Sequence, residues 1–360
     1  MGYMKRALEL SREALGLSSP NPPVGAVVVK DGRIVGEGHT LPPGQAHAEV
    51  IALNQAGELA RSATLYTTLE PCCHFGKTPP CTRAIIQAGI AQVHIATNDP
   101  NPLVNGKGVA ELEGAGLSIH QDECSEEAEE VTEAYIKFVT TGLPFVVAKF
   151  AMSLDGKIAA SSGDSKWISS EDARYYAREL RQWNDAIIVG IGTILDDDPR
   201  LTARDGDGSP RAKQPVRIVV DTSARVPLSA QLFREPGPLL VVTARATKNR
   251  TEALRGAGAQ VLSLPADDGS VDLSGLLKVL GEREITSLLA EGGGTLLGSF
   301  FDLGLVDKVV AFVSPVILGG RGSPSPVAGA GATVMADSIH LKRTKVDVVG
   351  EDVMMTGYVR

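Results

Sequence analysis

The chain has 360 residues, of which 43% are hydrophobic and 22% are charged, and its formal net charge is −8 at pH 7. Since domains usually have roughly 100–200 residues, this length predicts two domains, each with its own core. The acidic balance disfavours a nucleic-acid partner held through phosphate contacts, but it allows a small anionic substrate in a local basic pocket.

The sequence shows no membrane or secretion signal. Its apolar runs fall short of the ~18–20 residues that span a bilayer. Residues 1–17 follow a charged amphipathic helix pattern without the apolar core of a signal peptide. Four cysteines are too few for a disulfide framework. We therefore expect a cytoplasmic protein that binds neither membrane nor nucleic acid.

The first half alternates between predicted strands and helices. After the N-terminal helix, two apolar runs flank Asp31-Gly32, a step that is typical of a β-hairpin. Apolar residues at helical spacing predict helices over 47–57 and 81–89. Buried strands are predicted over 63–71 and 92–100. This alternation indicates a three-layer α/β domain.

The domain boundary is predicted near residue 143. A charged helix over 124–142 is followed by Pro144, and a new series of strand patterns begins at Phe145. We expect domains at 1–142 and 145–360, the second again of α/β class. The glycine-rich segment 319–332 is expected to be a mobile loop.

A histidine and two cysteines form a candidate metal site. His47-Ala48-Glu49 opens one predicted helix, and Pro71-Cys72 follows a predicted strand. Zinc nucleobase deaminases show this order in the signature H-x-E…P-C-x-x-C, but residue 75 here is Phe and the next usable thiol is Cys81. We predict His47, Cys72 and Cys81 as Zn²⁺ ligands, since three ligands leave a fourth position for water.

Glu49 is the candidate general acid and base of this site. It lies two residues after His47, so it can reach a bound water without ligating the metal, take its proton and return it to the departing amine. Cys73 is adjacent to Cys72 and cannot comfortably share one ion with it, and Cys124 lies in an acidic segment; neither is expected to act. The alternative, a structural zinc module, would need a fourth protein ligand and would leave Glu49 without a role.

The first half resembles the deaminase half of the bifunctional riboflavin-biosynthesis deaminase–reductase family. The similar stretches are PNPPVGAVVVKDGRIVGEG, HAEV, TLEPCCHFGKTPPC and NDPNPLVNGKG. The resemblance implies that Lys77 binds a ribose phosphate, that His74 gives a second contact and that Asn21 binds the pyrimidine edge. The family usually has a His where this chain has Thr40, so either the neighbouring His39 substitutes or one substrate contact is lost.

The second half carries a glycine-rich turn in place of a dinucleotide fingerprint. Gly190-Ile191-Gly192 lacks the third glycine of G-x-G-x-x-G. The segment AEGGGTLLGSF, residues 290–300, places three glycines between a predicted strand and a predicted helix. Because this arrangement exposes backbone N–H groups at a helix N-terminus, it predicts a phosphate-binding turn.

This half resembles the reductase half of the same family, which is similar in fold to dihydrofolate reductase. The similar stretches are KFAMSLDGKIA, SKWISSEDAR, VGIGTILDDDPRLTAR, VVDTSARVP and EGGGTLLGSF. The implied fold is therefore α/β, with an N-terminal three-layer cytidine-deaminase-like domain and a C-terminal dihydrofolate-reductase-like domain.

The resemblance implies an NADPH site and a substrate site in the second half. The NADPH site would be lined by Ala151, Trp167, Thr193, Asp197, Thr222, Gly293, Gly294, Thr295, Leu296, Leu297, Gly298 and Ser299. The substrate would be held by Ser165, Arg181, Leu201, Arg204 and Glu291, because arginines suit a two-point grip on phosphate. Arg225 is a candidate contact for the 2′-phosphate of NADPH.

The implied protein is a two-step enzyme and a homo-oligomer, either a dimer or a tetramer. It would use zinc to deaminate 2,5-diamino-6-ribosylamino-4(3H)-pyrimidinone 5′-phosphate and NADPH to reduce the ribosyl to a ribityl chain. The reduction needs a proton as well as a hydride, and Lys149, Asp197 and Glu291 are unranked candidates for its source. The alternative function is a tRNA or nucleoside deaminase joined to an unrelated reductase-like domain, for which the short C-x-x-C would be expected.

Overall fold

The computed structural model describes residues 2–121 and 123–359, and the chain divides into two compact units, Met1–Leu143 and Pro144–Arg360. The elements of the first unit are α1 (Tyr3–Glu13), β1 (Gly25–Lys30), β2 (Arg33–His39), α2 (Ala48–Ala56), β3 (Thr64–Thr67), α3 (Cys81–Gln87), β4 (Gln92–Ile95), α4 (Lys107–Gly114), β5 (Ser118–Gln121) and α5 (Ser125–Thr141).

The first unit is built on a five-stranded sheet in the order β2-β1-β3-β4-β5. β1 is antiparallel to β2 and β3, whereas β3, β4 and β5 are parallel. The predicted hairpin is confirmed: Asp31 and Gly32 both have positive φ, 50° and 74°. Two such residues in succession match the twist of the flanking strands, as a two-residue hairpin turn requires.

Helices cover both faces of this sheet. Alternate residues of β1 point to opposite faces, so Val27 and Val29 pack with α1 and α5, while Ala26 and Val28 pack with α2 and α3. The predicted three-layer α/β arrangement is confirmed. β3 ends at Thr67, earlier than predicted, and the following residues form a bend.

The second unit contains nine strands and five helices within its described residues. They are β6 (Phe145–Ser153), α6 (Glu171–Trp183), β7 (Ala186–Gly190), α7 (Ile191–Asp197), β8 (Val216–Val220), β9 (Leu239–Thr243), α8 (Lys248–Gly256), β10 (Gln260–Ser263), α9 (Leu273–Glu282), β11 (Ser287–Glu291), α10 (Gly294–Asp302), β12 (Lys308–Ser314), β13 (Lys342–Val349) and β14 (Asp352–Tyr358).

A single nine-stranded sheet runs through the second unit in the order β10-β9-β8-β7-β11-β6-β12-β14-β13. The strands from β10 to β12 are parallel to their neighbours, and β14 and β13 extend the sheet in antiparallel fashion. The central strands are buried on both faces, which explains their continuous apolar sequences. This is the predicted α/β class.

The glycine-rich segment 319–332 contains no helix or strand but is held at several points. Ala328 N donates to Gly294 O at 3.0 Å, and Ala330 N donates to the carboxylate of Asp302 at 2.8 Å. The loop therefore packs against both ends of α10, and its mobility stays a prediction. Among all described residues, no helix combines the length and apolar character that a membrane crossing needs.

Candidate active sites

The structure brings His47, Cys72 and Cys81 together in the first unit. His47 immediately precedes α2, Cys72 follows the turn after β3, and Cys81 is the first residue of α3. Their ligand atoms all lie within 4.8 Å of one another. His47 Nδ1 is 3.3 Å from Cys81 Sγ and 3.6 Å from Cys72 Sγ.

The turn that carries Cys72 is fixed by Glu70, a residue that sequence reasoning missed. The buried carboxylate of Glu70 accepts hydrogen bonds from the backbone N–H groups of Asp99, Gly106 and Val109, at 3.3, 3.0 and 3.1 Å. It thereby caps the N-terminus of α4. A Cβ on Gly108 would lie 2.2 Å from Pro71 O, so this helix approaches the turn as closely as only glycine allows.

The donor set fits zinc. The hydrogen bond between the two thiols lowers the pKa of Cys72 to about 4 and raises the pKa of Cys81 well above its ordinary value. The two sulfurs thus share one proton, which a divalent cation would replace while holding both as thiolates. One imidazole nitrogen and two sulfurs on three different elements are the ligands that Zn²⁺ prefers.

Glu49 lies beside these ligands and is 4% exposed. Burial raises the pKa of its carboxyl group, and the negative charge on Cys72 raises it further. A carboxyl group whose pKa is displaced toward neutrality can both accept and return a proton at physiological pH. Cys73 is directed away, with Sγ 3.7 Å from Leu103 O, and Cys124 lies before α5 on the other side of the sheet.

Thr40 and His39 are both engaged within the fold. The hydroxyl of Thr40 accepts a hydrogen bond from Val24 N at 3.2 Å, which fixes Thr40 to the residue that immediately precedes β1. His39 Nδ1 is 3.6 Å from the carboxylate of Glu13, at the end of α1. Of the two alternatives, the structure gives no support to a shifted His39 that takes the place of the missing histidine.

The segment between Cys73 and Pro80 lies over the ligand cluster. Lys77 is exposed, and His74 is half-buried with its Nδ1 lacking a hydrogen-bond partner among the described residues. Thr78, which sequence reasoning did not select, places its Oγ1 3.2 Å from His47 Nε2. Asn21 is half-buried in the loop before β1.

A cavity of about 750 Å³ in the second unit gathers most of the residues predicted there. Its lining includes Lys149, Ala151, Ser165, Trp167, Arg181, Thr193, Asp197, Leu201, Arg204 and Glu291. The cavity is also lined by Arg174, Arg178 and Arg200, which sequence reasoning missed because a lone arginine has no motif. The excess of cations is what a phosphorylated ligand requires.

Three ionisable side chains meet at one side of this cavity. Arg181 and Glu291 form a two-point ion pair, at 3.0 Å between Nε and Oε1 and 2.7 Å between Nη2 and Oε2. Glu291 pairs in register with Lys149 on the adjacent strand. Burial lowers the pKa of Lys149; Glu291 partly offsets this, and Arg181 adds to it. Burial raises the pKa of Glu291, but Arg181 and Lys149 lower it more, so the carboxylate stays ionised.

Two further polar groups of the cavity, Arg204 and Ser165, are held by hydrogen bonds. Arg204 donates from Nη2 to Glu235 at 2.6 Å and from Nε to Thr202 at 2.8 Å. Ser165 donates to the carboxylate of Asp197 at 3.0 Å. These bonds hold the side chains in place before a ligand arrives. Binding would therefore cost less side-chain conformational entropy.

A second cavity of about 660 Å³ opens at the N-terminus of α10 and shares Thr193 with the first. It is lined by Thr222, Arg225, Gly293, Thr295, Leu296 and Ser299. A Cβ on Gly293 would find only Thr193 Oγ1, at 4.0 Å, so a ligand can approach the backbone closely there. This cradle fits a pyrophosphate-bearing cofactor.

Three residues predicted for the cofactor site line neither cavity. Leu297 is fully buried on the core side of α10. Cβ atoms on Gly294 and Gly298 would meet Ser325 O at 2.6 Å and Ala328 C and O at 2.4 Å. These two glycines therefore serve the packing of loop 319–332. Contact of Gly294, Leu297 and Gly298 with the cofactor stays a prediction.

Family models cover almost the whole chain. Residues 144–355 match the RibD C-terminal domain, and residues 2–97 match the cytidine and deoxycytidylate deaminase zinc-binding region. The riboflavin biosynthesis protein RibD of Aquifex aeolicus is 45% identical over 354 residues, which cover 98% of this chain and 96% of that protein.

Solved structures agree with these matches. RibD of Acinetobacter baumannii superposes with a TM-score of 0.87 at 36% identity, covering 99% of this chain and 97% of that one. A Thermotoga maritima protein described as a diaminohydroxyphosphoribosylaminopyrimidine deaminase/5-amino-6-(5-phosphoribosylamino)uracil reductase gives 0.85 at 36% identity, with the same coverage.

Proposed function

Because the chain belongs to the RibD family of riboflavin-biosynthesis proteins, we propose that its two units divide the two activities of that family. The protein is a bifunctional enzyme, a zinc-dependent deaminase and an NADPH-dependent reductase. Met1–Leu143 would carry the deaminase, since it holds the histidine–cysteine cluster. Pro144–Arg360 would carry the reductase.

The substrate of the first unit is 2,5-diamino-6-ribosylamino-4(3H)-pyrimidinone 5′-phosphate. Hydrolysis replaces one exocyclic amine by oxygen and releases ammonia. The second unit then reduces the ribosyl group of the product to a ribityl chain, giving 5-amino-6-ribitylamino-uracil 5′-phosphate. The observation that carries this assignment is the coexistence, in one chain, of a zinc-type ligand cluster and two cavities that share Thr193 beside a glycine-rich turn.

His47, Cys72 and Cys81 would hold the zinc of the deaminase. A zinc ion bound there supplies the Lewis acidity that makes water a nucleophile near neutral pH. Glu49 would take the proton of that nucleophile and give it to the departing amine. Its position two residues after His47 and its raised pKa both support this role.

The loop over the zinc ligands would recognise the substrate. Lys77 is exposed and free to approach a ribose phosphate, and the half-buried His74 has an imidazole nitrogen without a partner among the described residues. Asn21 would bind the pyrimidine edge with its amide. Since Thr40 is tied to Val24, the contact that a histidine makes in other members of the family would be absent here.

In the reductase, the cofactor would extend across both cavities. Its nicotinamide would lie near Ala151, Trp167 and Asp197 in the first cavity, and its pyrophosphate at Gly293 and Thr295 in the second. Bound NADPH supplies a hydride to C1′ of the sugar. Thr193 lines both cavities, which supports one ligand running through both. Thr222, Leu296 and Ser299 line the second cavity, and Arg225 would contact the 2′-phosphate.

Lys149 is the best candidate for the proton source of the reduction. Glu291 remains ionised between two cations and is a poor acid. The carboxylate of Asp197 is already engaged, since it accepts a hydrogen bond from Ser165 at 3.0 Å. A lysine whose pKa is lowered by burial gives up its proton more readily. Glu291 would hold both Lys149 and Arg181 in place.

The phosphate of the second substrate would be bound by Arg204. The guanidinium of Arg204 is oriented by Glu235 at the edge of the cavity, and Arg181, paired with Glu291, would add a second cation there. Ser165 and the backbone near Leu201 would complete the substrate contacts. Arg200, 3.3 Å from Glu235, supports a cationic surface at this end of the cavity.

We also propose a cytoplasmic homo-oligomer, a dimer or a tetramer. The edge strand β13 is exposed along almost its whole length, with Val346 and Val348 61% and 77% accessible. Exposed apolar side chains on a sheet edge favour association with a second copy. All four cysteines are free thiols, which suits a reducing compartment.

A coupled assay with the diaminopyrimidinone phosphate tests the assignment. Ammonia release and NADPH oxidation should both occur, and oxidation should require prior deamination. Ammonia without oxidation would contradict the assignment of the second unit. A chain that ends at Leu143 should remain folded and release ammonia; an inactive or insoluble fragment would contradict the division of activities.

A further inference from the structure

The two ring nitrogens of His47 face different partners. Nδ1 lies 3.3 and 3.6 Å from the sulfurs of Cys81 and Cys72, whereas Nε2 lies 3.2 Å from Thr78 Oγ1. Only Nδ1 is therefore available to the ion that the sulfurs would bind. His47 has no side-chain bond to its own helix, since the N-terminus of α2 shows no side-chain cap.

We propose that Thr78 is a positioning residue for the zinc site, acting through His47. A neutral imidazole carries one N–H, and a metal ligand needs the lone pair of the other nitrogen. If Nδ1 ligates zinc, Nε2 carries the hydrogen and donates it to Thr78 Oγ1. The hydroxyl thus gives the N–H of the ligating tautomer an acceptor and limits rotation of the ring. This inference rests on the proposed ligand set.

The long spacing between the cysteines explains how Thr78 reaches this position. Gly76 N donates to Thr78 O at 3.2 Å, which closes a turn within the loop. At its ends, the loop is fixed to Cys72: Cys81 N donates to its Sγ at 3.4 Å and Thr82 N to its O at 3.2 Å. A C-x-x-C motif has no residues to spare for such a contact. The inserted loop therefore positions the metal ligand His47 through Thr78, and it also carries Lys77.

Zinc affinity, measured on the full-length protein by competition with a chromogenic chelator, tests the inference. Thr78→Val removes the hydroxyl and keeps the shape, and Thr78→Ser restores the hydroxyl. Partners in the second coordination shell are typically worth 10–100-fold in metal affinity, so we expect the zinc dissociation constant of Thr78→Val to rise by ~10–100-fold. Thr78→Ser should remain within about threefold of the unchanged protein.

Thr82→Val is a matched control. Its hydroxyl donates to Glu111 at 3.0 Å, close to the same cluster but away from His47, so zinc affinity should be retained. Equal weakening by Thr78→Val and Thr82→Val, or by Thr78→Val and Thr78→Ser, would overturn the inference, because the hydroxyl on His47 would then have no specific effect. An unchanged affinity in Thr78→Val would overturn it too.

Cys72→Ser separates this inference from the assignment beneath it. If the unchanged protein binds one zinc, Cys72→Ser loses it and Thr78→Val does not weaken it, only the role of Thr78 fails. If Cys72→Ser keeps full affinity, the ligand set itself is wrong and the role of Thr78 falls with it.

Discussion

Arg181 and Glu291 form a two-point ion pair at one side of the first cavity of the second unit, with N–O distances of 3.0 and 2.7 Å. Glu291 also lies in register with Lys149. One carboxylate therefore balances two cations, one of which is the proposed proton source, Lys149. This makes Glu291 the residue whose neutralisation should disturb the reductase most.

Glu291→Gln is expected to lower NADPH oxidation and to shift its pH dependence. The carboxylate raises the pKa of Lys149, so its loss lowers that pKa further. A general acid must be protonated, so the alkaline limb of the kcat/KM profile should move to lower pH, with a loss of at least ~10²-fold near neutrality. The control is Glu179→Gln, which lies on the same helix as Arg181 and breaks an ion pair with Arg211. An unshifted profile would contradict the role of Lys149.

Some of the fold could be predicted because the signal is local. Asp31-Gly32 is sufficient for the hairpin, since few dipeptides adopt positive φ twice. The hairpin of β13 and β14 escaped prediction because β13 is exposed almost throughout, so its sequence shows no alternation of apolar and polar residues.

The zinc ligands could be predicted from residue type and order, whereas their supports could not. Thr78 contacts a residue 31 positions away, and Glu70 caps a helix through a residue 39 positions away. Such pairs depend on how β3, α2 and α4 are brought together by the sheet. A single Thr or Glu in the sequence does not indicate which distant residue the fold will bring next to it.

Glu49→Gln should keep zinc and lose deamination. The amide preserves the size of the side chain but cannot take up a proton, so ammonia release should fall by at least ~10²-fold. Zinc content and NADPH oxidation with deaminated substrate should be unchanged. Glu58→Gln, on the exposed turn after α2, serves as the control. If Glu49→Gln retained full deamination, Glu49 would not be the general acid and base of the reaction.

Lys77→Ala should raise KM for the phosphorylated substrate while leaving folding intact. Lys77 is exposed, so its removal costs little packing. Loss of one charge-assisted hydrogen bond, worth about 1.5–3 kcal/mol, corresponds to a rise of about 10–100-fold. The matched control is Lys5→Ala, an exposed lysine on α1. Equal KM values for the two variants would rule out the phosphate contact.

Asp99 should make the first unit less stable as pH rises. Burial raises the pKa of Asp99 to about 6, while hydrogen bonds from Asn101 N and Tyr135 Oη lower it. The folded state thus binds this proton more tightly than the unfolded chain, whose Asp titrates near ~3.9. The stability it contributes is complete below about pH 4 and is lost as pH rises through 6, by on the order of 2–3 kcal/mol.

The test of this pH dependence is the carboxyl titration of Asp99 by NMR. Tyr135→Phe removes a hydrogen bond that lowers the pKa of Asp99, so the titration should move to still higher pH in that variant. Asp99→Asn should gain stability relative to the unchanged protein between pH 4 and 7, as read from amide exchange of α5. A titration centred near 4 would refute the prediction.

Replacement by alanine should have different effects at Gly298, inside α10, and at Gly293, the residue before this helix: the first should lower stability and the second should weaken NADPH binding. In Gly298→Ala, the new Cβ would lie 2.4 Å from the carbonyl of Ala328, so loop 319–332 must shift and the second unit should lose about 1–3 kcal/mol. This loss should occur although alanine normally stabilises a helix interior.

Gly293→Ala should instead fold normally and bind NADPH weakly. Its φ of −65° and ψ of 163° suit any residue, and its Cβ would enter open space. That space is the cradle in which a pyrophosphate would meet the backbone, so the NADPH dissociation constant should rise by about tenfold for each ~1.4 kcal/mol of lost contact. Unfolding midpoints and NADPH titrations on both variants decide the matter. A Gly293→Ala protein with unchanged NADPH affinity would mean that the cofactor does not approach α10 here, since nothing else in the described structure occupies the volume of that methyl group.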